Sequence, residues 1–401
     1  MANIGYIQVV RHCNHFCGFC SNPSTPWAHD IHTMKLLVDD FRDRGYFGVI
    51  LTGGEPTLHP ELPTIAAYAR QQGLHVRMIT NGHRLADLDF ARDLADAGMA
   101  HVHISVYSTR PAVEAELRGT PDTLERAFAA VENAHAVGMV ININSVINAL
   151  NADHLHESVS HWMEHHPYVR HFVWNNLDPS MGRAESNQAK YTPRLADFQL
   201  SLYKACQLLH ASGRSFRVEK VPLCYMSDFA WASTETRKIV KGEERIVHFL
   251  DHKQTVRQTD WEHLYADACG VCSVREICGG LFDRGGGYDP AELYPLFINR
   301  DPIIRTIIED PADPSYPLRT LATWRSDFEK RLGTARNHHA ERSTDAKPAP
   351  EGSEHLPVGG VTPASLKRFD SKRRAEQRRA DSLGITLEKP ATQPDEGNDE
   401  H

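Results

Sequence analysis

The 401-residue sequence lacks what would tie it to a membrane or to nucleic acid. No stretch approaches the roughly 18 apolar residues that a membrane span requires. The opening, MANIGYIQVVRHC, has no basic region followed by a long apolar core, so no signal peptide is expected. Positive charge is in deficit: 44 basic against 52 acidic residues give a net charge of −8, which leaves no electrostatic footprint for nucleic acid. These absences imply a cytoplasmic protein. Cysteine is scarce, at eight. In such a compartment those eight are expected to be thiols or metal ligands, not disulfides. What remains, 41% hydrophobic and 24% charged residues, is ordinary for a globular chain.

The cysteines are unevenly placed. Cys13, Cys17 and Cys20 fall within HCNHFCGFCSNP; Cys224, Cys269, Cys272 and Cys278 form a later set; Cys206 stands apart. Clustering at ligand spacing favours metal over packing. The first set is one ligand short. A structural zinc closes four ligands, and His12 or His15 could supply the fourth. A structural [4Fe–4S] cluster also uses four cysteines, so three would leave one iron open to a small ligand. Spacing alone leaves both readings standing.

Short β-rich runs alternate with helical stretches through the first half. Strands are expected at 5–10, 47–54, 75–82, 101–108, 140–148 and 169–179, alternating with helices; the helix at 33–45 is closed by Gly45, and that at 60–73 has Pro at its start and Gly at its end. Six β–α units in series imply a parallel sheet with right-handed crossovers. The expected fold class is α/β, a partial (β/α)6 TIM-like barrel. Reactive groups then belong beyond the C-terminal strand ends. The polar punctuation sits there: RHCNHFCGFC, TGGEP, TNG and WNNLDP. Three domains are expected: the barrel at 1–191, a smaller cysteine-bearing region at 192–333, and a disordered charged tail at 334–401 with a short basic helix at 365–384. Cys206 shares a helix with Phe198, Leu202 and Leu209 and reads as a buried core thiol. His161, His165 and His166 read as a solvated helix face.

Together, C-x3-C-x2-C at Cys13, Cys17 and Cys20, GGEPT at 53–57 and the six β–α units resemble the radical SAM superfamily. The resemblance covers roughly the first half of the chain. It implies that the three cysteines hold a [4Fe–4S] cluster whose open iron binds S-adenosylmethionine. Reductive cleavage would yield a 5′-deoxyadenosyl radical that abstracts hydrogen from a substrate, fed by a flavodoxin- or ferredoxin-type electron donor. It also implies cosubstrate contacts: Phe19 beside the cluster, Gly53 and Gly54 for close backbone approach, Glu55 for the methionyl ammonium, Ser105 and Asn144 for the ribose hydroxyls, and Arg118 for the methionyl carboxylate. The residues themselves also admit a blander reading, with Ser105 and Asn144 as turn formers and Arg118 on the surface.

The second set, CGVCSVREIC at 269–278, resembles the core of SPASM and twitch extensions, which hold auxiliary [4Fe–4S] clusters. Phe282 stands where the full SPASM pattern has another cysteine, and none follows Cys278. One auxiliary cluster on Cys224, Cys269, Cys272 and Cys278 fits the count, giving two clusters per chain. The implied function is net oxidation or bond formation on a small molecule or a ribosomally made peptide. The barrel begins almost at residue 1, which leaves no room for a preceding peptide-recognition domain. The competing reading is a non-catalytic binding or electron-transfer protein stabilised by zinc or iron–sulfur sites. The glycine-rich GGLFDRGGGYDP at 279–290 is expected to be a loop over the cluster or the barrel mouth.

Overall fold

The computed structural model describes residues 4–22, 25–250, 254–283, 286–310 and 320–342. The expected disordered tail beyond 342, with its basic helix at 365–384, lies outside the described residues.

The six expected strands form: β1 (Ile4–Val10), β2 (Gly48–Gly53), β3 (His75–Thr80), β4 (His101–Ser105), β5 (Val140–Ile147) and β6 (His171–Asn176). All are parallel to their neighbours. Between them run α1 (Ile31–Asp43), α2 (Leu62–Gln71), α3 (Leu88–Asp96), α4 (Pro111–Arg118), α5 (Thr123–Ala136) and α6 (Leu155–His165). Three helices follow β6: α7 (Gly182–Ser186), α8 (Gln188–Tyr191) and α9 (Leu195–Ala211). The helices start and stop for local reasons. Asp30 caps α1 by accepting from Thr33 N at 2.7 Å, and Asp87 caps α3. α1 lays one apolar stripe on the sheet, Met34, Leu37, Val38 and Phe41, all buried.

Sequence reading misses three strands, and they change the architecture. β7 (Ser215–Glu219) pairs in parallel with β6, and β8 (Arg245–His248) pairs in parallel with β1. β9 (Thr255–Gln258) runs antiparallel to β8. The sheet order is β7-β6-β5-β4-β3-β2-β1-β8-β9. The segment after 192 therefore extends the sheet at both edges. Curvature brings the edge strand β7 close to β8, the strand next to the other edge: Glu219 on β7 accepts from Arg245 on β8 at 2.5 Å. No strand ladder closes that gap among the described residues, so the barrel stays open. The remaining helices are α10 (Thr234–Lys241), α11 (Asp301–Ile308) and α12 (Leu321–Arg342), the last of which crosses position 333.

Cys206 is buried on α9 beside Phe198, Leu202 and Leu209, and burial alone pushes its thiol up. It is a core thiol. The expected solvated histidine face is only partly so. His165 is exposed, but His166 is buried, and both His161 and His166 stack on Phe128, at 5.1 and 5.4 Å between centroids. An aromatic ring on the neighbouring α5 covers that end of α6.

Candidate functional site

One cavity of about 600 Å³ opens inside the curved sheet, beyond the strand ends. Every residue of the expected front site lines it: Cys13, Cys17, Cys20, Phe19, Gly53, Gly54, Glu55, Ser105, Arg118 and Asn144. The topology brings them there, because each lies in the C-terminal half of a parallel strand, in the loop after it or on the helix that follows.

The cysteine loop is held by backbone. Gly54 N donates to Val10 O at 2.8 Å, and Glu55 N to His12 O at 3.0 Å. The two glycines are required by this contact. Gly53 has φ +147°, and a Cβ there would lie 2.0 Å from Val10 O; one on Gly54 would lie 2.1 Å from His12 O. Their close approach is to the loop that carries the cysteines. Phe16 N donates to Arg118 O at 2.9 Å, which fastens the other side of the loop.

Arg118 is a buried clamp, not the surface residue that the blander reading allowed. Its Nε donates to Glu114 Oε1 at 2.6 Å, one helical turn back. Nη1 donates to His15 Nδ1 at 3.0 Å and to Asn81 O at 3.4 Å, and Nη2 to Ser105 O. One of its five N–H groups thus holds Glu114 on its own helix, and three join the cysteine loop, the turn after β3 and the end of β4. His15 Nδ1 accepts from that guanidinium, so the ring presents Nε2–H to His83 Nδ1 at 3.3 Å. Both ring nitrogens are committed, and His15 is not a fourth metal ligand.

Glu55 is a second buried hub. Its Oε1 accepts from Thr57 N, Thr57 Oγ1 and Thr80 Oγ1, at 3.1, 2.6 and 2.7 Å. Its Oε2 accepts from Asn81 N at 2.7 Å. Burial pushes its carboxyl above the usual range. A carboxylate offers about four acceptor positions, two on each oxygen, so Oε2 keeps one beyond the Asn81 bond. Ser105 and Asn144 face each other in register, and Asn144 Oδ1 accepts from Asn175 Nδ2 at 3.0 Å. Phe19 packs edge-on against Tyr107, 4.7 Å between centroids.

The donor set fits a metal cluster. Cys13 Sγ accepts from His15 N at 3.4 Å and from Asn81 Nδ2 at 3.7 Å. Burial pushes the Cys13 thiol up to about 11 and Cys17 up to about 12. Thiols so buried ionise when a metal replaces the proton. A single zinc would need its donors about 2.3 Å from one ion. Among the described residues no three His, Cys, Asp or Glu side chains are already gathered round one metal ion, so the thiolates would close on zinc or on a cluster only as it binds.

Cys224, Cys269, Cys272 and Cys278 also come together, around a separate small cleft. They lie in or at the ends of 3-10 turns: Leu223–Tyr225, Asp267–Val271 and Arg275–Ile277. Leu296 N donates to Cys272 Sγ and Gly280 N to Cys278 Sγ, each at 3.3 Å. Such N–H bonds are what metal-bound sulfur accepts. Tyr265 and Tyr294 hold the backbone by donating to Cys278 O and Cys224 O. The glycine-rich loop reaches the barrel rim, where Tyr288 Oη donates to Leu177 O at 2.7 Å.

With this geometry in place, comparison with known proteins is informative. Residues 7–160 match the family model of the Radical SAM superfamily. Residues 7–160 are a radical SAM domain. Fe-coproporphyrin III synthase of Methanosarcina barkeri is 29% identical over 148 residues, 36% of this chain and 37% of its own length. PqqA peptide cyclase of Xanthomonas campestris is 31% identical over 153 residues, 37% and 40% of the two chains. The chain thus spans about two fifths of the curated relatives it matches. Streptococcus suis SuiB bound to S-adenosylmethionine shares the fold, with a TM-score of 0.52, 17% identity and coverage of 69% of this chain and 72% of that one. Among the described residues no helix is long and apolar enough to cross a membrane.

Sequence reading missed Asn81, Tyr107, Asn175 and Arg183, which also line the cavity. TNG and WNNLDP mark Asn81 and Asn175 as strand-end polar groups, but nothing marks Arg183. It comes from α7, where its Nε donates to Cys17 O at 2.8 Å.

Proposed function

We propose that this chain is a cytoplasmic radical SAM enzyme carrying two [4Fe–4S] clusters, which oxidises its substrate or forms a bond within it. Cys13, Cys17 and Cys20 would hold the cluster with the open iron. Cys224, Cys269, Cys272 and Cys278 would hold the auxiliary one. The observation that carries the reading is the convergence of all ten front-site residues on one cavity. When bound, the front cluster and S-adenosylmethionine supply a 5′-deoxyadenosyl radical, with a flavodoxin- or ferredoxin-type protein as electron donor.

The chain's own residues orient and shield. Glu55 Oε2 offers its remaining acceptor position to the methionyl ammonium. Arg118 has one N–H beyond its four named partners for the methionyl carboxylate, while one holds Glu114 and three keep the cysteine loop against the ends of β3 and β4. Ser105, Asn144 and Asn175 present polar groups for the ribose. Phe19 and Tyr107 wall off water beside Cys17. The four later cysteines form a closed set, suited to accepting an electron rather than binding substrate. One relative's name refers to a porphyrin and another's to a peptide. Both a small molecule and a peptide thus remain within the class of substrate.

The test is anaerobic reduction of the reconstituted protein with S-adenosylmethionine. The expected outcome is 5′-deoxyadenosine from protein carrying about eight irons and eight sulfides. Fully loaded protein that forms none refutes the enzymatic reading.

A further inference from the structure

Three side chains meet in line at the turn after β4. Ser108 Oγ lies 2.8 Å from His154 Nε2, and His154 Nδ1 lies 2.5 Å from Asp153 Oδ1. Serine, histidine and aspartate in this order serve acyl transfer where the serine meets substrate. Here Ser108 and His154 are fully buried and neither lines the cavity, so no substrate reaches them.

The arrangement has a direction. With the ring neutral, Nδ1–H donates to the exposed Asp153 and Nε2 is left as an acceptor. Ser108 then donates its hydroxyl to Nε2, and its oxygen accepts from Arg110 N at 3.1 Å. Two further bonds grip the same turn. Asn151 Nδ2 donates to Tyr107 O at 2.9 Å, and Thr109 N donates to Ser158 Oγ at 3.3 Å. Residues 107–110 are therefore held from the segment that leads into α6 and from its first turn.

What that turn holds in its own right is Arg118. Tyr107 N and Ser108 N both donate to Glu114 Oε2, at 3.0 and 2.9 Å, while Glu114 Oε1 accepts from Arg118 Nε at 2.6 Å. α4 is eight residues long and no side chain caps its start, so its placement follows the turn before it. The Arg118 guanidinium lies 4.9 Å from the centroid of Tyr107, whose ring also meets Phe19. Every link from Asp153 at the surface, through His154, Ser108, Glu114 and Arg118, to His15 in the cysteine loop is 3.0 Å or shorter. Fastening α6 to the turn would need only apolar packing. A buried polar chain costs desolvation and in return specifies one geometry.

We propose that Asp153, His154 and Ser108 form a positioning relay, which aligns Arg118 and Phe19 on the cysteine loop and so sets the affinity for S-adenosylmethionine. The cosubstrate rests on the radical SAM reading; the relay rests on the hydrogen bonds alone. Equilibrium dialysis of S-adenosylmethionine against the fully loaded protein tests it. His154→Ala should bind about tenfold more weakly, while the rate of 5′-deoxyadenosine formation at saturation stays within about twofold. The change that S-adenosylmethionine makes in the electron paramagnetic resonance signal of the reduced front cluster should need correspondingly more of it. His154→Gln offers its amide oxygen to Ser108 and should recover the affinity. His166→Ala, at the C-terminal end of α6, loosens that helix without touching the turn and should bind as the wild type does. Far-UV circular dichroism shows which variants are folded; where His154→Ala is not, Ser108→Ala should show the same loss. Wild-type affinity in folded His154→Ala or Ser108→Ala, an equal loss in His166→Ala, or no recovery in folded His154→Gln overturns the proposal. Fully loaded wild-type protein that binds no S-adenosylmethionine refutes the radical SAM reading, and the relay's role with it.

Discussion

The two cysteine sets are built on opposite plans. The front set hangs from the ends of β1 to β4 and is held by buried charge: Arg118 with Glu114, and Glu55 with four donors. The second set sits in 3-10 turns with no strand beneath it, held by two tyrosine hydroxyls and two N–H bonds to sulfur. A site that must leave one position open needs its shape fixed by the protein, whereas a closed four-thiolate site can take its shape from the cluster it binds. On the proposed function, the front cluster would depend on the scaffold, and the scaffold of the second set would depend on its cluster.

The largest expected effect separates the two directly. Cys17→Ala should abolish 5′-deoxyadenosine formation and remove about four irons per chain. Cys272→Ala should also remove about four irons but leave uncoupled S-adenosylmethionine cleavage in place, as read by iron analysis and chromatography. Equal loss of cleavage in both variants would erase the distinction. Next in size is Arg118→Met. It strands Glu114 as a buried charge and should cost about 3–5 kcal/mol of stability in denaturant titration. A cost below about 1 kcal/mol would mean that the clamp is idle.

Metal removal gives an intermediate contrast. Anaerobic chelation should raise amide hydrogen exchange across 267–278 far more than across 4–17, because the 3-10 turns have few backbone bonds of their own. Equal protection in both segments would contradict the contrast of plans. The smallest effect is Tyr265→Phe, which deletes one neutral hydrogen bond to Cys278 O. It should cost about 1 kcal/mol and shift the electron paramagnetic resonance signal of the second cluster but not of the first.

The front half was legible for physical reasons. β2 and β3 read as strands because their helix-facing sides are apolar without interruption, as in Val49, Leu51, Val76 and Met78. The strand-end glycines were legible because no side chain fits there. β7 was missed because SFRVE is short and inverted: Phe216 and Val218 are the buried apolar residues, while Arg217 and Glu219 border the cavity. Charges on the inward side of a barrel strand look like a surface segment. β8 was missed because its partner, β1, lies some 240 residues away and nothing local announces the pairing. Arg118 showed its identity in LRG but not its burial, which arises only when α4 docks on the cysteine loop.

The contact between Glu219 and Arg245 has a mechanical consequence. It joins the edge strand β7 to β8, one strand in from the other edge, through side chains, with no ladder of amides between them among the described residues. The ring is fastened by a clasp, not a seam. A seam opens only by unzipping bond after bond; a clasp lets go at one point, and the strands on either side keep their register. Losing that one ion pair would therefore break a direct tie between β7 and β8 without breaking any backbone bond between them.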